Sequence, residues 1–473
     1  MAEIKFGTDG WRAVISDDFT FENVRYVAQA MADYINGEND EIHRKKIVAV
    51  GYDTRFLSEK YAQIMSCILA ANGIRVILSD EPCPTPSVSY TIKDRALTGG
   101  VVITASHNPA RYNGIKYKAY FGGSAGTDII KKIEACLKKS PVREMPLEKA
   151  KQEKLIEIED IVPRHLAFAK KYVDLRFLKK SRLKVLVDSM YGTGRGYMEG
   201  LLAGGNIKVT TIHDERNPYF GGINPEPIMP NLKELALKTK KDKYDIGLAT
   251  DGDADRLGVA RPDGKLLTGH KVMTLLFLHL LEDKGLRGDV VQTICGTVLI
   301  NKICKKYNLA MRETPVGFKY ICDLMIKGDV LIGGEETGGI SFKGYIPERD
   351  GILSGLLILE MMAMRKKPLL QILKSIDKEY GTYEYRRIDV KYPDEKKAPL
   401  MEFLKVKSPK EVLGKKVVEV KDYDGFKFIF EDESWLILRL SGTEPILRIY
   451  AEASTEKKAL AILDFGKKLA YSI

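Results

Sequence analysis

The sequence predicts an α/β chain: three similar mixed α/β-sheet domains plus a C-terminal α+β domain around a central cleft. Three observations carry this. A rhythm of β-type run, helical run and β-type run occurs three times, each cycle ending in a polar loop. After about residue 381 the rhythm gives way to short β-type runs joined by turns and one final helical run. At 473 residues the chain is too long for one hydrophobic core. The expected domains are 1–148, 149–260, 261–378 and 379–473. Residue identity between cycles is low, so the repeat is one of periods.

In the first cycle, residues 47–53 read as a strand, 59–72 as a helix, and 74–78 and 101–104 as further strands. A charged, proline-containing passage over 140–159 precedes the second. Its strands fall at 183–188, 207–210 and 244–249, with a glycine-rich turn at 191–196. The third has strands at 289–294 and 329–332. In the remainder, strands at 417–420, 426–430, 435–440 and 447–452 precede a helix at 456–470.

The chemistry lies in the loops. Gly99-Gly100-Val101-Val102-Ile103 ends abruptly in Thr104-Ala105-Ser106-His107-Asn108-Pro109. A buried strand reads this way when it delivers a loop at its carboxyl end, where open α/β sheets bind ligands. Ser106 is a hydroxyl nucleophile with polar neighbours in His107 and Asn108, and Asn113-Gly114-Ile115-Lys116 adds an amine. The plain alternative is an ordinary turn. A hydrolase elbow is a poorer fit, because Thr104 and Asn108 stand where Gly-x-Ser-x-Gly needs glycines.

Thr250-Asp251-Gly252-Asp253-Ala254-Asp255-Arg256 alternates three carboxylates along a tight turn. Locally extended backbone would point them to one side as hard oxygen ligands for Mg²⁺. A calcium EF-hand is excluded: Arg256 takes its glycine position and Pro262 its twelfth. Gly-Glu-Glu-Thr-Gly-Gly at 334–339 sets the hydrogen-bond acceptors Glu335 and Glu336 and the Thr337 hydroxyl among glycines that allow close backbone approach, and alone it is equally a plain glycine-rich turn. In Arg439-Leu440-Ser441-Gly442-Thr443-Glu444-Pro445 a strand ends at a cation. The hydroxyls and turn N–H groups that follow can surround a phosphate, and Arg448 is a second positive group. Phe6-Gly7-Thr8-Asp9-Gly10-Trp11-Arg12 alone is a glycine-rich turn. Gly192-x-Gly194-x-Gly196 does not complete a dinucleotide fingerprint, since Tyr197 and Glu199 occupy the possible last positions, and no nucleotide P-loop string occurs.

The string at 104–109 resembles the phosphoserine loop of the α-D-phosphohexomutase family, which includes bacterial phosphoglucomutase and phosphomannomutase. Three further loops fall in that family's order, so the resemblance covers essentially the full chain. It implies interconversion of hexose 1-phosphate and hexose 6-phosphate, glucose first and mannose second, through a phosphoserine at Ser106 and a hexose 1,6-bisphosphate intermediate. It implies one Mg²⁺ per chain on Asp251, Asp253, Asp255 and Ser106 or its phosphate. It implies Arg12 and Arg256 beside the phosphoryl group, with Lys116 and His107 handling the hydroxyl proton. Lys116 would then need a lowered pKa, favoured by Arg12 and Arg256. Sugar and phosphate contacts fall to Glu335, Glu336, Thr337, Arg439, Ser441, Gly442, Thr443 and Arg448. Thr314-Pro315-Val316-Gly317-Phe318-Lys319 matches a further loop, in which Lys319 is either a phosphate contact or an exposed structural lysine. The chain departs from many members at Thr337, where they have Ser, and at Gly339, where they have His. Phe318 replaces a His found in some.

Composition is consistent with this class and narrows the alternatives. The formal net charge of +11 comes from scattered Lys and Arg without interleaved aromatics, which favours a field that gathers small phosphorylated anions over a nucleic-acid partner. No apolar run reaches the ~18 residues of a membrane span, and the amino end lacks the apolar core of a signal peptide, so the expected location is the cytoplasm. The six cysteines form no C-x-x-C pair and read as buried thiols. Two other functions remain open on sequence: a hexose-bisphosphate synthase or sugar phosphatase on the same scaffold, and a non-catalytic sugar-phosphate sensor. Oligomeric state is not encoded legibly.

Overall fold

In the computed structural model, which describes residues 4–441 and 445–473, the chain forms two compact units. One runs to Leu286 and resumes at Gly317–Leu369; the other comprises Arg287–Val316 and the chain from Leu370 onward.

The first unit opens with strands β1 (Trp11–Val14), β2 (Ile47–Tyr52), β3 (Arg75–Ser79), β4 (Gly99–Ile103), β5 (Tyr112–Ala119) and β6 (Ile156–Glu159). They make one sheet in the order β1-β5-β4-β2-β3-β6. β4, β2, β3 and β6 run parallel, β5 lies antiparallel to β4, and β1 lies antiparallel to β5. The near-continuous apolar runs of β2, β3 and β4 are explained by burial of both sheet faces. Val48, Val50, Val101 and Ile103 point into a core shared with the helices Phe21–Gly37 and Ser58–Ala71. Their neighbours Ala49, Ile77 and Val102 point the other way, onto Val88 and Ile92 of the helix Thr85–Asp94.

The second cycle builds β7 (Lys184–Asp188), β8 (Lys208–Ile212), β9 (Ile246–Thr250) and β10 (Leu257–Ala260) in the order β10-β9-β7-β8, with only β10 antiparallel. In the third, β11 (Asp289–Thr293) and β12 (Met311–Thr314) pair in parallel, and β13 (Val330–Gly334) pairs antiparallel with β14 (Ile340–Phe342). The cycles share one device that the sequence reading did not contain. In each, the polar loop is the turn between a strand and the antiparallel return strand that follows it: β4 to β5, β9 to β10, β13 to β14. The returns β10 and β14 have four and three residues, too few to show a period.

The second unit ends in β15 (Glu384–Lys391), β16 (Glu411–Val412), β17 (Lys415–Lys421), β18 (Phe426–Phe430), β19 (Trp435–Leu440) and β20 (Ile446–Ala453). They form an antiparallel sheet in the order β15-β20-β19-β18-β17-β16. Leu436, Leu438, Leu447 and Ile449 pack with Ile462 and Leu463 of the helix Glu456–Tyr471. This is the expected α+β module with β15 added at its edge. The sequence reading missed β15 because its half-exposed face carries Arg and Asp.

Among the described residues no helix is long and apolar enough to cross a membrane. The cysteines are unbridged, all buried except the half-buried Cys136.

Candidate active site

Ser106 stands just beyond the carboxyl end of β4 with φ of 52°, a left-handed conformation unusual for serine. Its loop is fixed through the backbone. The Ser106 N–H donates to Thr104 Oγ1 at 2.8 Å, and the Thr104 hydroxyl donates to Asp53 Oδ2 at 2.6 Å. Arg55, 1% exposed, donates to four carbonyl oxygens of this turn: Ser106 and Asn108 at 2.6 Å, Pro109 at 2.8 Å and Tyr112 at 3.0 Å. Its Nε donates to Asp53 at 3.0 Å. Asp53 and Arg55 follow β2 directly, so one parallel strand holds the loop of its neighbour.

The loop after β9 lies against this turn. Gly252 passes so close that a Cβ there would sit 2.5 Å from the Ser106 carbonyl oxygen. The Ser106 hydroxyl donates to Asp251 Oδ2 at 2.9 Å. Carboxylate oxygens of Asp251, Asp253 and Asp255 lie within 4.8 Å of one another, all buried. They converge through a turn with Ala254 at φ of 58°, not through the extended alternation expected from sequence. Asp251 Oδ1 accepts from the N–H groups of Asp255 and Arg256, and Asp253 Oδ2 accepts from Thr85 Oγ1 at 2.6 Å. Asp253 Oδ1 and Asp255 Oδ1 are buried without a hydrogen-bond partner. Crowded carboxylates with unused hard oxygens fit a divalent cation of the Mg²⁺ class. Burial and the charges of Asp255 and Asp253 push the Asp251 carboxyl well above its ordinary range. A cation among the three would relieve that repulsion.

Lys116 lies on β5 and reaches Asp253 at 2.7 Å, Asp9 at 3.0 Å and Asp255 at 3.2 Å. This corrects the expectation of a lowered amine pKa. Burial does disfavour its charge, but Asp253, Asp255 and Asp9 together outweigh burial and raise the pKa above the ordinary lysine value. His107 behaves oppositely. Burial, then Arg256, Arg12 and Lys116, hold it well below the usual histidine range, so its imidazole is neutral, with Nδ1 3.5 Å from Ser106 Oγ. Arg12 donates to Asn108 Oδ1 at 2.7 Å, and Arg256 Nε is buried 3.8 Å from Asp255 without a hydrogen bond.

Glu335 follows β13, and its N–H donates to Gly339 O at 3.0 Å. Burial pushes its carboxyl up to about 7 against the pull of Arg349. Glu336 is also buried, and Thr337 Oγ1 is a buried hydroxyl without a partner. Lys319 does not join this group: it donates to Thr127 Oγ1 at 2.9 Å and lies over the Tyr320 ring.

Several residues around the site were not singled out from sequence. Asp9 receives Lys116, Arg349 at 2.6 Å and Lys118 at 3.6 Å; Lys118 also pairs with Glu348. Arg349 spans Asp9, Asp255, Glu335 and Glu348. The available signal was charge at places that should be apolar or turn-like: Asp53-Thr54-Arg55 at a strand end and Glu348-Arg349-Asp350 before a helix.

In the second unit Arg439, on β19, donates to Asp424 Oδ1 at 2.8 Å, opposite Arg448 on β20. Arg448 lies 3.8 Å from Asp389, and the Ser441 carbonyl accepts from Lys397 at 3.1 Å. Gly442 and Thr443 lie outside the described residues.

Four family models match the chain in succession. They describe phosphoglucomutase/phosphomannomutase alpha/beta/alpha domain I over residues 3–143, domain II over 163–264, domain III over 268–380 and the C-terminal domain over 388–465. The chain is 32% identical over 466 residues to the phosphoglucomutase/phosphomannomutase of Thermococcus kodakarensis, covering 98% of each. It is 31% identical over 467 residues to the phosphoglucosamine/phosphogalactosamine mutase of Sulfurisphaera tokodaii, again covering 98% of each. A crystal structure from Thermus thermophilus, assigned as a phosphomannomutase, matches at a TM-score of 0.87 with 34% identity over 99% of both chains.

Proposed function

The chain belongs to the phosphoglucomutase/phosphomannomutase family and is a phosphohexomutase, an intramolecular phosphotransferase; on that premise we propose that it interconverts glucose 1-phosphate and glucose 6-phosphate, with mannose phosphates as second substrates, by way of phosphate carried on Ser106. The observation that supports this most is the Ser106 hydroxyl 2.9 Å from Asp251, within an aspartate triplet that retains unused oxygens. Asp251, Asp253 and Asp255 would hold one Mg²⁺, which when bound offsets charge on a transferring phosphoryl group.

The chain's own groups divide the remaining work. Neutral His107 relays a proton: as phosphate leaves Ser106 it takes the proton of the attacking sugar hydroxyl and gives it to Ser106 Oγ, and as phosphate returns it takes the Ser106 proton and gives it to the departing sugar oxygen. Lys116, held charged, serves as a cation toward the phosphoryl oxygens, with Arg12 and Arg256 beside it. Glu335, Glu336 and the Thr337 hydroxyl receive the sugar. A hexose 1,6-bisphosphate formed in the first transfer turns over before the second, so these contacts serve both orientations. Incubation with glucose 1,6-bisphosphate labelled with ³²P tests the reading. Label should be retained on Ser106, be released to glucose 1-phosphate, and require Mg²⁺ after treatment with EDTA. Protein that never retains label overturns it.

Glu335 gives a pH signature. Its ionised form accepts hydrogen bonds from hydroxyls, so KM for sugar phosphate is expected to rise as pH falls below about 7, a dependence that Glu335→Gln removes beyond the titration of the substrate itself. Stability runs the other way. The folded chain binds this proton more tightly than the unfolded one, so the contribution is full below the ordinary value of 4.5 and is lost as pH rises through about 7. Thermal unfolding of wild type and Glu335→Gln across that window measures it.

A further inference from the structure

We propose that Arg349 is the positioning residue of the sugar site: its guanidinium holds Glu335 in fixed relation to Asp255, so that the orientation of the Glu335 carboxylate, and with it the preference between epimeric hexose phosphates, is set from position 349. This rests on the reading above of Glu335 as a sugar contact.

Arg349 is 3% exposed, and its neighbours leave it little freedom. The next residue, Asp350, caps the helix Gly351–Arg365 through Leu353 N and is fastened by His165 at 2.7 Å and Tyr345 at 2.8 Å. From this anchored backbone the guanidinium spreads in a fork. Nη2 meets Asp9 at 2.6 Å and Asp255 at 2.8 Å, Nη1 faces Glu335 Oε2 at 3.5 Å, and Nε faces Glu348 at 3.3 Å. The Phe318 ring lies 5.2 Å from its central carbon. A rigid planar fork can hold two carboxylates in one mutual geometry, whereas a point charge balances them without orienting either. The reach to Glu335 is loose enough to leave that carboxylate acceptor capacity for a ligand.

The loop carrying Glu335 is built around the stem of this arginine. A Cβ at Gly339 would lie 2.4 Å from Arg349 Cδ and 3.0 Å from its Cγ. Gly339 is the residue whose carbonyl accepts from the Glu335 N–H. The glycine therefore supplies the space through which Arg349 passes, and a side chain there must push the guanidinium off Glu335. Burial opposes ionisation of Glu335, and Arg349 is the first cation that restores it.

Arg349→Lys keeps the charge and loses the fork; Gly339→Ala keeps every charge and displaces the stem. Both are measured with glucose 1-phosphate and mannose 1-phosphate, in wild-type and Glu335→Gln backgrounds, alongside labelling from glucose 1,6-bisphosphate. The expected result is normal labelling of Ser106, a KM for glucose 1-phosphate raised about tenfold with a smaller change in kcat, and a ratio of kcat/KM between the two sugars moved toward one. In the Glu335→Gln background the same substitutions should add less than about twofold, because the partner they act through is gone. An unchanged sugar ratio, or effects that simply multiply with Glu335→Gln, overturns the proposal while leaving the mutase reading intact. Failure of the wild-type protein to label overturns both. If Arg349→Lys does not fold, Gly339→Ala carries the same readouts.

Discussion

Ser106→Ala is expected to lose mutase activity by on the order of 10⁴-fold or more, while thermal stability and affinity for sugar phosphate change little. The argument for a large, clean effect is that the side chain is not what shapes the loop. The Ser106 N–H is held by Thr104 and its carbonyl by Arg55, and the hydroxyl donates outward, to Asp251. Alanine keeps all the backbone contacts and removes only the oxygen that would carry phosphate. A steady-state assay with added glucose 1,6-bisphosphate, read beside a binding titration with glucose 6-phosphate, separates loss of chemistry from loss of the site. Activity within tenfold of wild type would move the phosphoryl carrier to another residue, and the role of the aspartate triplet would have to be argued afresh.

Arg55→Met should be the most damaging substitution to stability. It deletes donors to four carbonyls and leaves Asp53 buried beside an apolar chain. Removing one partner of a buried ion pair costs about 3–5 kcal/mol, and the orphaned carbonyls add to it. The left-handed conformation at Ser106 persists only while its surroundings impose it, so activity should fall further than the loss of folded protein explains. Arg55→Lys distinguishes the two effects. It retains a charge for Asp53, so the unfolding midpoint should recover in part, but one ammonium cannot reach four oxygens and activity should stay low. A Lys variant with wild-type activity would show that the clamp is structural only.

The legible part of the site was the part confined to single loops. Ser106 at a strand end and the three aspartates within five residues announce a hydroxyl and a set of hard ligands wherever they fold, because donor type and short spacing are local properties. The parallel strands were legible for a similar reason: burial on both faces writes a continuous apolar run. The returns β10 and β14 were not, because three or four residues paired to one neighbour need no pattern of their own.

Charge states were decided elsewhere. From sequence, Lys116 was expected beside arginines and therefore weakly basic. The fold puts it among three carboxylates, two of them 137 and 139 residues away, and reverses the sign. Arg349 meets Asp9 across 340 residues of chain, and Arg55 holds carbonyls more than 50 residues downstream. The sequence by itself determined the kind of chemistry, the order of the loops that carry it and the family, since these depend on residue identity and on turns a few residues long. Only the tertiary structure decided which carboxylates are left with unused oxygens, which base is neutral and which arginine orients which acid. Coulombic and desolvation energies depend on distances between side chains that chain order does not contain.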